Sequence, residues 1–211
     1  MTIINDYLTG LKQAYNTIAD PKSNYWQGFE HRIHGASDTD IIKLKEKFPL
    51  IPQSLIELLK FVDGTYCREY HGEQIAFYMF GSIPDEFVYP CYLNSCEQML
   101  NGDDEFSYLK DYINRDIDPE WGISIDDKII DDFDKVNWLH LSNCANNGGT
   151  SQLYIDFSPS DTGKMGQVVM FLHDPDELTV IADSFDEYLQ LLMDSEFAFI
   201  DADMADEFYW D

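Results

Sequence analysis

The sequence predicts an α+β fold in which helices pack on one side of a twisted, largely antiparallel sheet. Between Ser151 and Ala182, three runs of β-branched and aromatic residues are separated by short loops that contain Gly or Pro, a pattern typical of neighbouring strands. Ser184 to Glu187 then carry the S-x-x-E signature of a helix start, followed by an apolar helical face. Two more segments with helical periodicity precede Gly64. We expect these two helices and the Ser184 helix on the same side of the sheet.

The first third of the chain predicts helices joined by a linker. Apolar residues recur at helical spacing from Ile4 to Ile18, and Pro21 ends the pattern. The segment from Asn24 to Gly35 is interpreted as a linker that packs Trp26 and Phe29 on the domain. Gly64 suits the left-handed end of the last helix. The predicted helices are residues 3–19, about Asp38–Lys47 and Pro52–Val62.

The remaining two-thirds predict strands interrupted by short helices. Aromatic and β-branched runs between Gly and Pro residues indicate the strands. Ser95 to Gln98 repeat the capping signature and predict a short helix from Cys96 to about Leu100. A further helix is predicted around Phe106–Ile113. The predicted strands are Gln74–Phe80, Phe87–Leu93, Val136–Ser142, Gln152–Phe157, Gln167–His173 and Leu178–Ala182.

Size and composition favour one packed domain. A chain of 211 residues suits a single domain covering residues 1–211, and 45% hydrophobic with 15% aromatic content is typical of a folded globule. Residues 195–211 form an acidic-aromatic tail, either a final amphipathic helix or a flexible arm. The N-terminus lacks a signal-peptide pattern and no apolar run is long enough for a membrane span, so a cytoplasmic protein is expected. Its four cysteines are predicted to be reduced thiols.

The net charge of −27 is unevenly distributed. Residues 1–62 hold seven Lys and Arg against seven Asp and Glu, whereas residues 63–135 hold five against eighteen and residues 136–211 hold one against fifteen. Such a field should repel nucleic acid and anionic membranes and steer a basic protein partner. We expect the sheet face opposite the helices, with its loops, to form a concave acidic surface. The alternative is that the charge serves solubility alone.

The residue patterns that carry chemistry are absent, so we predict no catalytic residue, no metal site and no cofactor. His31 and His34 have a generic spacing before a helix start, and Cys91 and Cys96 are not spaced as a zinc-binding pair. The acidic clusters lack calcium-loop spacing, and Gly163–Gly166 lacks the rest of a phosphate-binding loop. No Ser or Cys stands in a nucleophile motif. An enzyme whose site assembles from scattered residues is the alternative.

Two segments carry a family pattern in the same order along the chain. The N-terminal one is FPLIPQSLIELLKFVDG, Phe48 to Gly64, after a helix that opens at Ser37. The C-terminal one consists of Gly148-Gly149 before Tyr154-Ile155-Asp156, then Gly166-Gln167-Val168, then ADSFDEYL from Ala182 to Leu189. From about Ser37 to Asp194 (residues 37–194), the chain thus resembles the SUKH superfamily, the Smi/Knr-like domain.

The resemblance implies a protein-binding function without catalysis. Members of this superfamily are mostly bacterial immunity proteins that bind and neutralise a cognate toxin, often a nuclease, while fungal relatives regulate the cell wall through protein contacts. We therefore expect an immunity protein that occludes a toxin with a basic surface, with no nucleic-acid or membrane partner. The alternative is a Smi/Knr-like regulatory or scaffold module unrelated to toxins. The oligomeric state is left open.

The partner-binding residues are predicted from chemistry alone, because acids speed association and buried aromatic anchors slow dissociation. They lie outside or between the family-like segments. One group is Glu120, Trp121, Asp126, Asp127, Asp131, Asp132 and Asp134, and the other is Asp206, Glu207, Tyr209 and Trp210.

Three further residues are given structural roles. Asp156 ends a predicted strand just before Ser158-Pro159, so we expect its carboxylate to accept hydrogen bonds from the turn that follows rather than to contact a partner. Ser184 and Glu187 are predicted to cap the helix that begins there.

Overall fold

The structure, a computed structural model, describes residues 2–18, 24–83, 88–102, 109, 123–130, 132–145, 151–173 and 176–200. Its helices are α1 (Ile3–Ile18), α2 (Tyr25–Arg32), α3 (Asp38–Lys47), α4 (Gln53–Phe61), α5 (Cys96–Asn101) and α6 (Phe185–Asp194). Its strands are β1 (Arg68–Tyr70), β2 (Glu73–Ile75), β3 (Phe80–Gly81), β4 (Pro90–Cys91), β5 (Ser124–Ile125), β6 (Trp138–Asn143), β7 (Gln152–Asp156), β8 (Gln167–Leu172) and β9 (Glu177–Ala182). The predicted α+β class is confirmed.

A sheet of five strands forms the centre of the C-terminal half, in the order β5-β9-β8-β7-β6. Strands β6 to β9 pair antiparallel, as predicted, and the short β5 joins the edge parallel to β9. The register places Asp156 of β7 opposite both Trp138 of β6 and Gln167 of β8. Strands β1 with β2, and β3 with β4, form two small antiparallel ribbons.

The helices pack on one face of this sheet and bury the main core. Side chains at alternating strand positions, such as Leu139, Leu153 and Ile155, join apolar residues of α1, α4 and α6 in one cluster. Tyrosine hydroxyls tie the helices to the extended segments between them, since Tyr7 donates to the Met79 carbonyl at 2.5 Å and Tyr188 donates to the Gly81 carbonyl at 2.6 Å. The predicted placement of helices on one side is therefore observed.

The opposite face of the sheet differs from the concave acidic surface that the sequence suggested. Trp138, Tyr154 and Phe171 point from that face into a second apolar cluster with Leu109 and Ile129. These aromatic residues alternate along the strands with the residues of the main core, so this face of the sheet is apolar too. Other segments of the protein therefore cover it and exclude water. Asp126 and Asp127 lie close to Ile129 in the sequence, on the segment that helps to cover this face.

Two segments of the first half adopt structures that the sequence did not predict. The expected linker Asn24–Gly35 contains helix α2, which buries Trp26 and Phe29. The predicted strand Gln74–Phe80 is interrupted, because the backbone of Phe77 and Met79 donates to the carbonyls of Thr65 and Cys91 rather than to one continuous partner strand. The predicted capping box at the start of α5 is confirmed.

The ends of other predicted elements fall partly on residues that the structure leaves out. Of the strand Phe87–Leu93, the described residues contain only the two-residue β4, and of the helix Phe106–Ile113 only Leu109 is described. In the tail, residues 195–200 form a turn that buries Phe197 and Phe199, whereas residues 201–211 lie outside the described part. Among the described helices, none has both the length and the apolar character to cross a membrane.

Two cysteines far apart in sequence are joined. Cys91 of β4 and Cys144 after β6 are opposed in an antiparallel bridge, and their sulfur atoms form a disulfide. The prediction of four reduced thiols is wrong for this pair. The other two cysteines are free, with Cys67 exposed and Cys96 buried.

Candidate functional site

The partner-binding residues predicted from chemistry fall only partly on the described chain. Asp126, Asp127, Asp132 and Asp134 are described. The remaining predicted residues, Glu120, Trp121, Asp131, Asp206, Glu207, Tyr209 and Trp210, lie outside the described residues. The contact role of both groups stays a prediction.

Three segments meet around the described acids, and we call their surface the acidic loop face: residues 126–135 as far as described, the loop 157–166, and residues 183–187 at the start of α6. Ser160 connects the first two segments, because its backbone donates to the Lys128 carbonyl at 3.0 Å and its hydroxyl to the Asp127 carbonyl at 2.6 Å. Lys164 connects the second to the third through a 2.5 Å ion pair with Asp183. The face is therefore held together by many local bonds.

A buried pair, Asp156 and Gln167, organises the loop 157–166 from beneath. The Asp156 carboxylate accepts from the Ser158 backbone at 2.7 Å and from the Gln167 amide at 2.9 Å. The same amide donates to the Lys128 carbonyl at 3.0 Å, while the amide oxygen accepts from the Lys164 backbone at 2.9 Å. Every polar atom of Gln167 is thus used to fix one loop against another.

Burial has an electrostatic cost at Asp156. The side chain is fully buried, and loss of water raises the pKa of its carboxyl group above the usual value of 3.8, although the hydrogen bonds from Ser158 and Gln167 act in the opposite direction. Removing one partner would leave a buried polar group unsatisfied. This geometry is the one that a structural role for Asp156 requires.

No local sequence pattern assigned a role to Gln167. Its neighbours Gly166 and Val168 matched a family pattern, but the polar residue between them carried no local signal. Only the strand register, which sets Gln167 opposite Asp156, explains why an amide is buried at the start of a strand.

The described acids of the face divide into those with a local partner and those without one. Asp126 accepts from the backbone of Lys128 at 3.0 Å and of Val180 at 3.2 Å, so it fastens the loop to the sheet edge. Asp132 pairs with Lys135 at 2.6 Å. Asp127 and Asp134 are exposed, and within the described chain neither forms an ion pair. Together with Asp161, which is also exposed, these two carboxylates are available to an approaching cation.

The start of α6 forms the third border of the face. The Ser184 hydroxyl accepts from the Glu187 backbone at 3.1 Å, and the Glu187 carboxylate accepts from the Asp183 backbone at 2.8 Å. In a regular capping box this carboxylate would accept from the backbone of Ser184, one residue later. Asp186 accepts a short hydrogen bond from the Ser54 hydroxyl, which links α6 to α4. Ser184 and Glu187 therefore occupy positions that fit the predicted capping role.

The other chemical candidates are dispersed in the structure. Among the described residues, no three His, Cys, Asp or Glu side chains are grouped so as to hold a metal ion. Burial, with the nearby negative charge of Asp63, raises the pKa of the Cys96 thiol to about 12, which keeps it protonated and weakly nucleophilic. The His34 Nδ1 lies 3.0 Å from the carbonyl oxygen of Gly35, which can only accept a hydrogen bond from it.

Comparison with known proteins identifies the family. The model of the SMI1 / KNR4 family (SUKH-1) matches residues 35–191, a span that contains α3 to α5, most of α6 and the whole of the described five-stranded sheet. No curated protein matches the chain with significant similarity. The matched segment includes Asp156, Gln167 and the acidic loop face. The chain therefore belongs to the SMI1 / KNR4 family (SUKH-1), a family of protein-binding, immunity-type domains.

Proposed function

We propose that this protein is an immunity protein that binds a cognate bacterial toxin with a basic surface and neutralises it by occlusion, without catalysis. The observation that carries the proposal is a family domain of the immunity type whose exposed carboxylates, Asp127 and Asp134, lie on the acidic loop face, where the Asp156–Gln167 pair fastens the segment next to Asp127. A nuclease is the toxin class that best suits such a surface, because a cleft that binds nucleic acid must be basic.

Charge and aromatic residues have separate tasks in this mechanism. The acids after Val62 attract a basic protein over a distance and speed the encounter. Aromatic anchors then slow dissociation, and we assign this task to Trp121, Tyr209 and Trp210. Occlusion requires only that the complex dissociate more slowly than a free toxin finds its substrate.

The proposal places the encounter in the cytoplasm, where a nuclease toxin would reach its substrate. Disulfides are rare in that compartment because glutathione and thioredoxin keep thiols reduced. The redox state of Cys91 and Cys144 in the cell therefore bears on this part of the proposal. A bond that persists in freshly lysed, alkylated cells would contradict a cytoplasmic location.

The test begins with identification of the partner. Affinity purification after crosslinking in the native cells, followed by mass spectrometry, should recover a basic protein, and its expression alone should be toxic. Co-expression of the chain should restore growth. Recovery of a non-toxic regulatory protein would instead favour the Smi/Knr-like regulatory or scaffold function.

A pair of matched variants then separates recognition from net charge. Asp127→Asn with Asp134→Asn should weaken protection. Asp6→Asn with Glu46→Gln removes the same number of exposed acids from the balanced first third of the chain and should leave protection intact. Equal effects of the two double variants would contradict a role for the acidic loop face.

A further inference from the structure

Three large apolar side chains are conspicuously exposed in the described chain, and two of them border one groove. Leu50 is 61% exposed and Met165 is 55% exposed, and both line a groove between the turn before α4, the loop 157–166 and the start of α6. Ile42, on α3, is 57% exposed but is not part of this groove. Exposed apolar side chains that converge at one place are typical of an interaction site.

Both apolar residues are carried by well-fastened turns. Leu50 follows Phe48, which is buried against Phe157 at a ring distance of 5.8 Å, and the turn is closed by a 3.1 Å bond from the Ile51 backbone to the Phe48 carbonyl. Met165 precedes Gly166, whose backbone at φ +85° donates to the Asp156 carbonyl at 2.7 Å. These turns keep the two side chains on the rim instead of letting them collapse into the core.

The dimensions of the groove suit a side chain better than a small molecule. Its volume is ≈ 260 Å³, below the roughly 300 to 1,000 Å³ of sites that enclose drug-sized ligands. Its floor includes Pro52 and Phe185, and its polar wall includes Ser54 and Asp186. An apolar anchor of a protein partner therefore has both a floor and a rim to contact.

The charges around the groove indicate what kind of partner fits. Among the described residues that line the groove, Asp186 is acidic and none is basic. The adjoining loops and helix start carry more acids than bases, namely Asp127, Asp161, Asp183 and Glu187 against Lys128 and Lys164. Both lysines are already paired with Asp183, at 3.6 and 2.5 Å. A second copy of this acidic chain would be repelled here, whereas Lys or Arg residues would be attracted.

We propose that this groove binds an apolar side chain, Leu or Trp, from a basic segment of a protein partner, with Leu50 and Met165 as the contact residues. The inference rests on the proposed function, since it supplies the basic partner with a second, apolar contact beside the acidic loop face. The groove would thus be an anchor site within the described residues, one that the charge pattern alone did not reveal.

A defined peptide tests the groove independently of any toxin. The probe is acetyl-Lys-Arg-Leu-Trp-Arg-Lys-amide, titrated into protein labelled with ¹³C at Met and Leu methyl groups. We expect the Met165 and Leu50 methyl signals to shift, with a dissociation constant in about the millimolar range typical of a single short contact. The charge-matched peptide with Gly-Ser in place of Leu-Trp should bind at least about tenfold more weakly.

Variants of the two rim residues complete the test. Leu50→Ser with Met165→Ser changes exposed positions, so folding is expected to survive, and peptide affinity should fall about tenfold or more. Ile42→Ser, equally exposed but elsewhere, should bind as the wild type does. Equal binding of both peptides, or an unchanged affinity of the double variant, would overturn the proposal. Methyl shifts that depend on protein concentration without peptide would also overturn it, in favour of self-association.

Failure of the groove and failure of the proposed function have different signatures. If a basic toxin is recovered and the Leu50→Ser, Met165→Ser variant still binds it with wild-type affinity, the groove proposal is wrong and the immunity function stands. If the peptide binds at Met165 but no toxic partner is recovered from cells, the groove stands as a protein-docking site and the immunity function is wrong.

Discussion

Asp156 and Gln167 face each other across β7 and β8, and the Gln167 amide donates to the buried Asp156 carboxylate at 2.9 Å. Because the same amide also bonds the Lys128 carbonyl, one buried side chain connects two loops of the acidic loop face to the sheet. The shape of the surface is thus determined by residues that no partner can touch.

Truncation of this carboxylate should destabilise the fold without changing recognition. Asp156→Ala removes one of the two acceptors of the Gln167 amide and the acceptor of the Ser158 backbone, and we expect the free energy of unfolding to fall by about 1 to 3 kcal/mol. Urea denaturation measures this loss. Asp161→Ala, an exposed acid in the same loop, is the control and should unfold like the wild type. A variant at Asp156 that unfolds normally but binds the partner weakly would show that the carboxylate is a contact.

The raised pKa of the Asp156 carboxyl group should make its contribution to stability larger at low pH than at neutral pH. Burial raises the pKa of Asp156, so its protonated form is relatively favoured in the folded chain, and its contribution to stability is lost as the pH rises from 3.8 through the folded pKa. The difference in unfolding free energy between the wild type and Asp156→Asn should therefore shift in favour of the wild type as the pH falls from neutral to below 3.8. A shift in the opposite direction would mean that the hydrogen bonds outweigh burial.

The four cysteines should differ in reactivity. At about pH 8, a thiol reagent should modify Cys67 in the folded chain but not Cys96, whose burial raises its pKa to about 12. Unfolding without reductant should expose the second thiol, and reduction should add two more. Four reactive thiols on unfolding without reductant would show that Cys91 and Cys144 are not joined.

Reduction of the disulfide should lower stability measurably. The bond closes a loop of 53 residues, for which chain entropy gives a stabilisation of about 4 kcal/mol. The urea midpoint with and without a reducing agent tests this, with Cys91→Ala, Cys144→Ala as a variant that should be insensitive to the reductant. An unchanged wild-type midpoint after complete reduction would contradict the expected contribution.

Association with the basic partner should be slowed by salt and by loss of the exposed acids. From about 0.05 to about 0.5 M salt the screening length falls from about 14 to about 4 Å, so the association rate should drop far more than the dissociation rate rises. Asp127→Asn with Asp134→Asn should reduce the association rate in stopped-flow experiments. Asp126→Asn should instead lower stability, because Asp126 bonds the Lys128 and Val180 backbones. Association rates that do not change with salt would mean that the charge serves solubility.

Local patterns were sufficient to predict the capped helix α6 and strands β6 to β9, because each has a complete signal within its own residues. Helix α2 was missed because its eight residues include Gly28 and lack a side-chain cap, so its stability comes from distant contacts such as the stacking of Phe29 on Phe77 at 3.9 Å. The disulfide was missed for a similar reason, since sequence spacing does not tell which strands become neighbours.

The site was predicted less completely than the fold. Acidic composition indicated the segment from Asp126 to Asp134, but not which acids form hydrogen bonds within the chain. Only the three-dimensional structure distinguishes the bonded Asp126 from the exposed Asp127. Gln167 and the Leu50–Met165 groove depend on residues brought together by strand register and helix packing. No local pattern contains that information.

Titration of the recovered toxin with the purified chain tests the account most directly. With the toxin well above the dissociation constant, nuclease activity should fall linearly and reach its minimum at a fixed stoichiometric equivalence, because occlusion consumes one binding site for each toxin neutralised. The Asp127→Asn, Asp134→Asn variant should inhibit more slowly while retaining the same equivalence point. Full inactivation by a small fraction of an equivalent would reveal catalysis, and undiminished activity at excess chain would show that this protein does not neutralise the toxin.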